Sequence, residues 1–281
     1  MRKTFIFILI ILAAALSCSR RESRHLVIIH TNDTHSHLEP VRSGVEAGRG
    51  GIIERAAYID SVMAAEGREN VLLLHAGDFS QGTSYFTILN GSIEVDGING
   101  LGYDVVTLGN HEFDNGMKEL GERLARVKCP VVCANYDFSP FKAGEFITPF
   151  TIVEKAGLRI GIFGILTDLK SVVDKSDPKA PALVKLDDVQ TANYWAALLK
   201  EQEGCDFVIA LTHVGLEEEK KKMTDSLLVR QCRNIDLVVG GHSHTFLEKI
   251  KYVPDLDGKD IPIVQDGCWG LNMGEITLEL D

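Results

Sequence analysis

Short apolar runs alternate with amphipathic stretches along most of the chain, and this alternation predicts strands separated by helices. The strand candidates are short and mostly branched or aromatic: residues 26–31, 71–76, 104–108, 131–134, 160–165, 207–211 and 235–239. Helical spacing of apolar positions predicts helices at residues 51–65, 117–126, 189–203 and 216–231. Several strand candidates are apolar without alternation, as expected when other layers cover both faces of a sheet. The pattern therefore predicts an α/β fold.

Towards the C-terminus, strand-like runs follow one another without helices between them. Residues 246–253, 261–265 and 272–280 form this series, with a turn at Asp257-Gly258. Residues 147–154 and 158–165, joined by Lys155-Ala156-Gly157, predict a further hairpin. With no internal repeat and no linker, the body of the chain is predicted to be one domain with helices covering mixed sheets.

The N-terminus has a different character from the body. Residues 1–3 are positively charged overall, and residues 4–16 form an apolar run of signal-peptide length that is too short to span a bilayer comfortably. A small residue, Ser17, precedes Cys18, which resembles a bacterial lipobox with a lipidated cysteine. The alternative is an ordinary cleaved signal peptide with an incidental cysteine. We predict a lipoprotein-type signal peptide at 1–17, a tether at 18–25, a domain at 26–281, and export to the periplasm or cell envelope.

The charge of the chain limits its partners. The formal net charge is −11, and removal of residues 1–17 would take away two positive charges. An acidic body disfavours nucleic-acid polymers and anionic membrane surfaces as electrostatic partners. A small phosphorylated substrate remains compatible, because bound metal ions would set the local charge.

Five short motifs rich in histidine and aspartate fall where predicted strands end. They are Asp33-Thr34-His35, Gly77-Asp78, Gly109-Asn110-His111-Glu112, Thr212-His213 and Gly241-His242-Ser243-His244. Together they offer two carboxylates, four imidazoles and one carboxamide as candidate metal ligands: Asp33, Asp78, His35, His213, His242, His244 and Asn110. Ligands collect at the carboxyl ends of strands in open α/β sheets, so these side chains are expected to converge.

This ligand set predicts a centre for two divalent metal ions. Imidazole, carboxylate and carboxamide ligands without thiolates suit Zn, Mn or Fe and tolerate Mg. A two-metal centre is a common device for cutting phosphate esters. Other histidines are interpreted differently: His25 and His75 as structural residues, and His30 as ambiguous because it lies inside a strand.

The motifs and their flanking residues resemble the calcineurin-like metallophosphatase superfamily, in particular its 5′-nucleotidase branch. Residues 30–37, 77–82 and 109–116 carry the resemblance, which extends over roughly residues 26–280. It implies a four-layered α/β/β/α sandwich of mixed β-sheets flanked by helices. It also implies phosphate monoester hydrolysis, with 5′-nucleotides as the favoured substrates, by in-line attack of a hydroxide that bridges two metals.

The resemblance also assigns roles to individual residues. It implies one metal held by Asp33, His35 and His244, a second held by Asn110, His213 and His242, and a bridge between them through Asp78. His111 would face the scissile phosphate beside Asn110. Asp114 would orient His111, which would protonate the leaving group or stabilise the transition state.

Three alternatives remain open. The first is a cyclic-nucleotide or sugar-nucleotide phosphoesterase, and the second is a catalytic subunit that needs a separately encoded nucleotide-binding partner chain. Family nucleotidases normally carry a second domain that stacks on the base, and no such segment follows residue 280 here, so poor base discrimination is expected. Base discrimination would instead be good if residues 38–50 or 169–183 formed a nucleoside pocket. A metal-binding protein without catalysis, the third, is disfavoured by His111 and Asp114.

Overall fold

The computed structural model describes residues 24–170, 173, 182–217 and 222–280. In chain order, the strands within these residues are β1 (Arg24–Thr31), β2 (Val71–His75), β3 (Val105–Thr107), β4 (Val131–Val132), β5 (Tyr136–Asp137), β6 (Ile147–Thr148), β7 (Phe150–Lys155), β8 (Leu158–Leu166), β9 (Val184–Lys185), β10 (Phe207–His213), β11 (Leu237–Val239), β12 (Lys251–Pro254), β13 (Asp260–Val264) and β14 (Gly274–Leu280). The α-helices are α1 (Ile52–Glu66), α2 (Ser84–Leu89), α3 (Ser92–Leu101), α4 (Gly116–Leu124), α5 (Asp188–Ala197) and α6 (Asp225–Val229).

Two six-stranded mixed sheets organise the described part of the chain. Sheet 1 has the order β14-β1-β2-β3-β4-β6, and sheet 2 has the order β12-β13-β11-β10-β8-β7. In sheet 1 the five strands β1, β2, β3, β4 and β6 are parallel, and β14 pairs antiparallel at one edge. Strands β5 and β9 form a separate antiparallel pair. In sheet 2 the central strands are parallel, with β12 and β7 antiparallel at the two edges.

The two sheets pack face to face, and helices cover their outer faces. Leu26 and Ile28 of β1 share a buried cluster with Ile209 and Leu211 of β10, so this cluster lies between the sheets. The alternate residues of β1 belong to a second cluster with α1, α3 and α4, while a third joins sheet 2 to α5 and α6. Successive side chains of a strand point to opposite faces. The predicted α/β/β/α sandwich is therefore confirmed.

One predicted strand is wrong in its extent. Residues 147–154 form two strands instead of one, because β6 pairs with β4 in sheet 1 and β7 pairs with β8 in sheet 2. Pro149 lies between them and has no N–H to donate to a ladder, so the chain changes sheets there. The rest of the predicted hairpin is present, with Ala156 and Gly157 both at positive φ in its turn.

The predicted helix at 216–231 is also wrong in its extent. Within the described residues only α6 is helical, and its N-cap is Thr224, whose hydroxyl accepts from the backbone N–H of Leu227. The backbone N–H of Ser226 donates to the carbonyl of Leu216, so the chain folds back before the helix begins. The charged run at residues 217–222 falls mostly outside the described residues.

Further differences concern weakly patterned segments. Helices α2 and α3 have no counterpart in the prediction, because Gly91, Gly97 and Gly100 interrupt the apolar spacing there. The predicted strand at 246–253 shrinks to β12 and a single bridge between Phe246 and Asp266. The predicted signal peptide and Cys18 lie outside the described residues, whereas the end of the predicted tether belongs to β1. Among the described helices, none is long and apolar enough to cross a membrane.

Candidate metal centre

The segments that follow β1, β2 and β3 in sheet 1 meet those that follow β10 and β11 in sheet 2. The backbone N–H of Asp33 donates to the carbonyl of Gly77 at 2.9 Å, and that of His35 donates to the carbonyl of Asp78 at 3.0 Å. Across the sheets, the backbone N–H of His242 donates to Oδ2 of Asp33 at 2.9 Å. The five motifs therefore converge at one site, as their positions after strands predict.

An unusual backbone conformation is shared by most of the candidate ligands. Five of them have positive φ values of 44–79°: Asp33, His35, Asp78, His242 and His244. Non-glycine residues rarely adopt this region, and such strain concentrates at functional sites. The loops thus hold these side chains in directions that a relaxed strand end would not give them.

The first group of converging ligand atoms comprises Asp33, His35 and His244, which could together hold a metal ion. The Nε2 atoms of His35 and His244 are 2.9 Å apart. Oδ1 of Asp33 lies 3.3 Å from Nε2 of His244 and 3.7 Å from Nε2 of His35. Asp33 is fully buried, so three ligand atoms point at one small volume beside a carboxylate that is shielded from solvent.

The second group comprises Asp78, His213 and His242. Nδ1 of His213 donates to the carbonyl of Ala76 at 2.7 Å, which leaves its Nε2 facing Oδ2 of Asp78 at 3.0 Å. Such a hydrogen bond fixes the ring orientation of a ligating histidine. Oδ2 of Asp78 is also 3.8 Å from Nε2 of His35, so this member of the second group lies close to the first group as well.

The carboxylates make this site favourable for positive charge. Burial opposes protonation of His213, yet Asp78 and Asp33 raise its pKa to about 10. A hydrogen bond to Asp33 and the neighbouring Cys268 raise the pKa of His244 to about 10, while burial lowers that of His242 to about 4. Divalent ions would supply the positive charge that these carboxylates attract, and their binding would displace protons from the imidazoles.

Asn110 gives an independent test of whether the residues fit a metal. Its Oδ1 is buried and has no hydrogen-bond partner among the described residues. An orphaned carbonyl oxygen is costly in a protein interior, unless an ion or water satisfies it. The next residue, His111, donates its backbone N–H to Oδ1 of Asp78 at 2.8 Å, which places Asn110 beside the second group. The donor set therefore fits divalent ions.

His111 stands apart from both groups of ligand atoms. Its Nδ1 is 2.8 Å from Oδ2 of Asp114, and its ring lies 5.4 Å from that of His35. The hydrogen bond to Asp114 raises the pKa of His111. Because Asp114 engages Nδ1 and the side chain is 30% exposed, Nε2 is the ring nitrogen left for a bound substrate. His111 is thus a candidate proton donor at the mouth of the site.

Two buried polar residues outside the predicted ligand set, Glu112 and Gln265, hold the loops in place. Glu112 accepts the backbone N–H groups of Asp78 at 2.9 Å, Ser80 at 2.9 Å and Gly109 at 2.6 Å. Gln265 donates to the carbonyl of Gly241 at 3.0 Å and accepts from the backbone of Thr245 at 2.6 Å. Glu112 lies within a quoted motif and could have been suspected, whereas nothing in the pattern marked Gln265.

A glycine is required where two loops of the site touch. A Cβ atom at Gly109 would lie 2.1 Å from Oδ1 of Asp78, and one at Gly77 would lie 2.6 Å from the backbone nitrogen of Gly109. Neither neighbour is free to move, since one is a candidate ligand and the other is backbone. These glycines therefore permit the loops after β2 and β3 to contact each other.

Three further histidines, His25, His30 and His75, behave as structural groups. His75 is buried, its Nε2 is 3.1 Å from Oγ1 of Thr34, and burial lowers its pKa to about 3. Nε2 of His25 lies 2.6 Å from Glu66, and Nδ1 of His30 lies 2.5 Å from Oδ2 of Asp266. His30 therefore supports the segment after β13 rather than the candidate metal groups.

Comparison with known protein families agrees with this geometry. The calcineurin-like phosphoesterase family matches residues 26–246, which is most of the chain and contains both groups of ligand atoms. The chain belongs to the calcineurin-like phosphoesterase family. Its similarity to individual members points to one branch of that family.

Two relatives illustrate that branch of the calcineurin-like phosphoesterases. A 5′-nucleotidase of Diplobatis ommata is 33% identical over 97% of this chain and 49% of its own length. A probable 5′-nucleotidase of Treponema pallidum is 31% identical over 95% of this chain and 48% of its own length. The chain thus spans about half the length of these relatives.

Solved structures show the same relationship. The 5′-nucleotidase precursor of Thermus thermophilus superposes with a TM-score of 0.80 and 33% identity, covering 92% of this chain and 52% of that chain. The NAD nucleotidase of Haemophilus influenzae superposes with a TM-score of 0.78 and 27% identity, covering 91% and 53%. The mixed sheets described above are therefore those of a calcineurin-like phosphoesterase.

Proposed function

We propose that the protein is a metal-dependent phosphoesterase that hydrolyses phosphate monoesters, with 5′-nucleotides as the favoured substrates. The observation that carries this proposal is the pair of ligand groups around Asp33 and Asp78, with the His111–Asp114 pair beside them. Membership of the calcineurin-like phosphoesterases and similarity to 5′-nucleotidases support the same reaction.

The metal ligands are assigned to two sites. Asp33, His35 and His244 would hold one ion, Asn110, His213 and His242 would hold the second, and Asp78 would contact both. Two divalent ions bound there would supply an activated water and neutralise charge on the phosphoryl oxygens. Zn, Mn, Fe and Mg all suit oxygen and imidazole ligands of this kind to some degree.

His111 and Asn110 would act on the substrate directly. His111 would donate a proton to the leaving oxygen or a hydrogen bond to the phosphate, since Asp114 orients its ring and raises its pKa. The carboxamide of Asn110 would direct its Oδ1 to a metal and its N–H groups to a phosphate oxygen. Asp114 would be a positioning residue, because it acts through His111.

A second candidate substrate class has one specific observation in its favour. The Haemophilus influenzae structure that superposes over 91% of this chain is a NAD nucleotidase. A dinucleotide or sugar nucleotide would place a phosphoanhydride at the same centre. Cyclic nucleotides remain the further alternative.

A substrate panel tests the proposed reaction. Metal-free protein would be supplied with Zn, Mn, Fe or Mg in turn, and the products would be separated by chromatography. Nucleoside monophosphates and an aryl phosphate should give inorganic phosphate, whereas hydrolysis of NAD, a sugar nucleotide or a cyclic nucleotide would give a nucleoside monophosphate. We expect nucleoside monophosphates to have the highest kcat/KM in at least one metal. Preference for NAD would favour the second candidate, and no hydrolysis with any metal would refute the phosphoesterase proposal.

The proposal extends to location and partners. A lipid on Cys18 would anchor the exported protein to the bacterial cell envelope, and replacing Cys18 by serine should abolish incorporation of labelled fatty acid. A separately encoded nucleotide-binding chain stays a prediction from the family resemblance. If such a partner acts with this chain, adding it should raise kcat/KM for nucleotides more than for an aryl phosphate.

A further inference from the structure

A stacked aromatic pair is hydrogen-bonded to the backbone of the first group of candidate metal ligands. The indole of Trp269 and the imidazole of His37 are stacked, with ring centroids 5.0 Å apart and an interplanar angle of 19°. Trp269 is 39% exposed, an unusual exposure for a large aromatic residue this close to a polar site. His37 covers one face of the indole, and Trp269 is still exposed enough to meet a ligand in the cavity that it lines.

The backbone fixes this pair to the candidate ligands. The N–H of Trp269 donates to the carbonyl of Asp33 at 2.6 Å, and Nδ1 of His37 donates to the carbonyl of His35 at 2.8 Å. Trp269 has a φ of 63°, so it shares the left-handed conformation of its neighbours in the site. A bulky residue in this conformation is a genuine outlier and is typical of a functional constraint.

The pair borders a cavity large enough for a ring system. The cavity has a volume of about 300 Å³ and is lined by Trp269, His37 and residues that follow β1 and precede α2. That volume is at the lower end of the range for small-molecule sites, which are typically roughly 300–1,000 Å³. Ser36 and His37 lie in its wall and directly follow the candidate ligand His35 in the sequence, and Trp269 in the same wall is hydrogen-bonded to the backbone of Asp33.

The rim of the cavity carries hydrogen-bonding groups. The hydroxyl of Tyr85 donates to Oε1 of Glu39 at 2.8 Å, and Nε of Arg42 donates to Oε2 of Glu39 at 3.0 Å. An aromatic face with a polar rim suits a planar ring that has donors and acceptors on its edge. A nucleobase has both features, whereas a sugar phosphate alone has neither a flat face nor such an edge.

We propose that Trp269 and the adjoining cavity form a subsite of this domain that binds the nucleobase of the substrate's leaving group. The proposal rests on the proposed function, because it assigns the ring to a substrate whose phosphate lies at the metal centre. Trp269 supplies the stacking face, and Tyr85, Glu39 and Arg42 face the ring edge. Purines should bind more tightly than pyrimidines, because the larger ring covers more of the indole.

Fluorescence gives a test that does not depend on hydrolysis. The chain contains two tryptophans, and Trp195 packs against Phe150 with ring centroids 5.0 Å apart, so Trp195→Phe leaves Trp269 as the reporter. Adenosine should quench the emission of the metal-loaded variant, cytidine should quench it at higher concentration, and ribose 5-phosphate should leave it unchanged. Equal responses to adenosine and ribose 5-phosphate would overturn the subsite.

Kinetics with the full chain provide the second test, which stands even if Trp195→Phe does not fold. Trp269→Ala should lower the ratio of kcat/KM for adenosine monophosphate to kcat/KM for ribose 5-phosphate by about tenfold, since base stacking contributes that order of discrimination. Trp269→Phe should restore most of the ratio. Tyr252→Ala is the matched control, because Tyr252 is an exposed aromatic residue on β12 outside this cavity.

The outcomes separate the two proposals. Quenching by adenosine without hydrolysis of any phosphate would uphold the nucleobase subsite and refute the phosphoesterase activity. Hydrolysis with neither quenching nor a change of the kcat/KM ratio in Trp269→Ala would uphold the activity and overturn the subsite. A ratio lowered equally by Tyr252→Ala would also overturn it, because the effect would then not be specific to Trp269.

Discussion

The Nε2 atoms of His35 and His244 lie 2.9 Å apart, although 209 residues separate them along the chain. Oδ1 of Asp33 lies within 3.7 Å of both. Two imidazole nitrogens that face each other beside a buried carboxylate form a natural site for one shared cation. Asp78 is placed similarly in the second group, where its Oδ2 lies 3.0 Å from Nε2 of His213.

Removal of metal should abolish hydrolysis, and divalent metal should restore it. Asp78→Asn should lower kcat more than any other single ligand substitution, because Oδ2 of Asp78 lies close to ligand atoms of both groups. Metal content per chain, measured by elemental analysis, should fall in the same variant. Asp96→Asn, on the exposed side of α3, is a control that should change neither quantity. Full activity in metal-free protein would contradict the two-metal assignment.

His111→Ala should reduce kcat by roughly 10²–10⁴-fold, the usual contribution of a general acid. Its metal content should stay near that of the unchanged protein, since His111 belongs to neither ligand group. The reduction should be smaller for an aryl phosphate with a good leaving group, which needs little protonation. Loss of a metal ion in this variant would show that His111 is a ligand.

Asp114→Asn should change the pH dependence of the reaction. The hydrogen bond from His111 to Asp114 raises the pKa of His111, so it extends the pH range in which the ring is protonated. Without the carboxylate, the alkaline limb of kcat/KM should move to lower pH. A profile of kcat/KM across the acidic and alkaline limbs measures this, and an unshifted alkaline limb would argue against His111 as the proton donor.

The His111–Asp114 pair also makes the stability of the fold depend on pH. Because the folded protein raises the pKa of His111, its interaction with Asp114 stabilises the fold below the unfolded-state pKa of about 6.5. That stabilisation is lost as the pH rises through the folded-state pKa. Asp114→Asn should therefore lower Tm more in acidic than in alkaline buffer, and the difference should be small because both side chains are partly exposed. An equal loss of Tm in both buffers would contradict the linkage.

Glu112→Gln should destabilise the protein. The buried carboxylate accepts three backbone N–H groups from the loops after β2 and β3, and a carboxamide offers only one oxygen to them. Leaving a buried N–H unpaired costs about 1–3 kcal/mol. Chemical denaturation would measure the loss, with Glu122→Gln on the exposed face of α4 as the matched control. Equal stabilities of the two variants would contradict this role of Glu112.

Much of the site could be predicted from the sequence because its ligands are tied to local signals. Each candidate ligand follows an apolar run of strand length, and parallel strands bring their carboxyl ends together. The left-handed backbone of Asp33 and Asp78 could not be predicted in this way. It depends on contacts between loops, such as the close approach of Gly109 to Asp78.

The features that could not be predicted depend on packing between residues that are far apart in the sequence. Trp269 contacts Asp33 from the opposite end of the chain, and Gln265 reaches Gly241 across the segment that contains β12 and β13. Both residue types are common in ordinary cores and surfaces, so neither stands out in the sequence. The division of residues 147–154 between two sheets depends on which neighbour each half pairs with, and local propensity does not encode that choice. Pro149, which has no N–H to donate to a ladder, lies at the division.

Each group of ligand atoms draws on both sheets. Asp33 and His35 from sheet 1 meet His244 from sheet 2, and Asp78 from sheet 1 meets His213 and His242 from sheet 2. An ion bound at either position would therefore cross-link the two halves of the sandwich, and an unfolded chain or a single undocked sheet could not bind it in the same way. Binding of this kind stabilises the native state by mass action, by about 2.7 kcal/mol at a free metal concentration of 100 times Kd. A larger supply of metal around this protein would thus raise its free energy of unfolding as well as its catalytic rate.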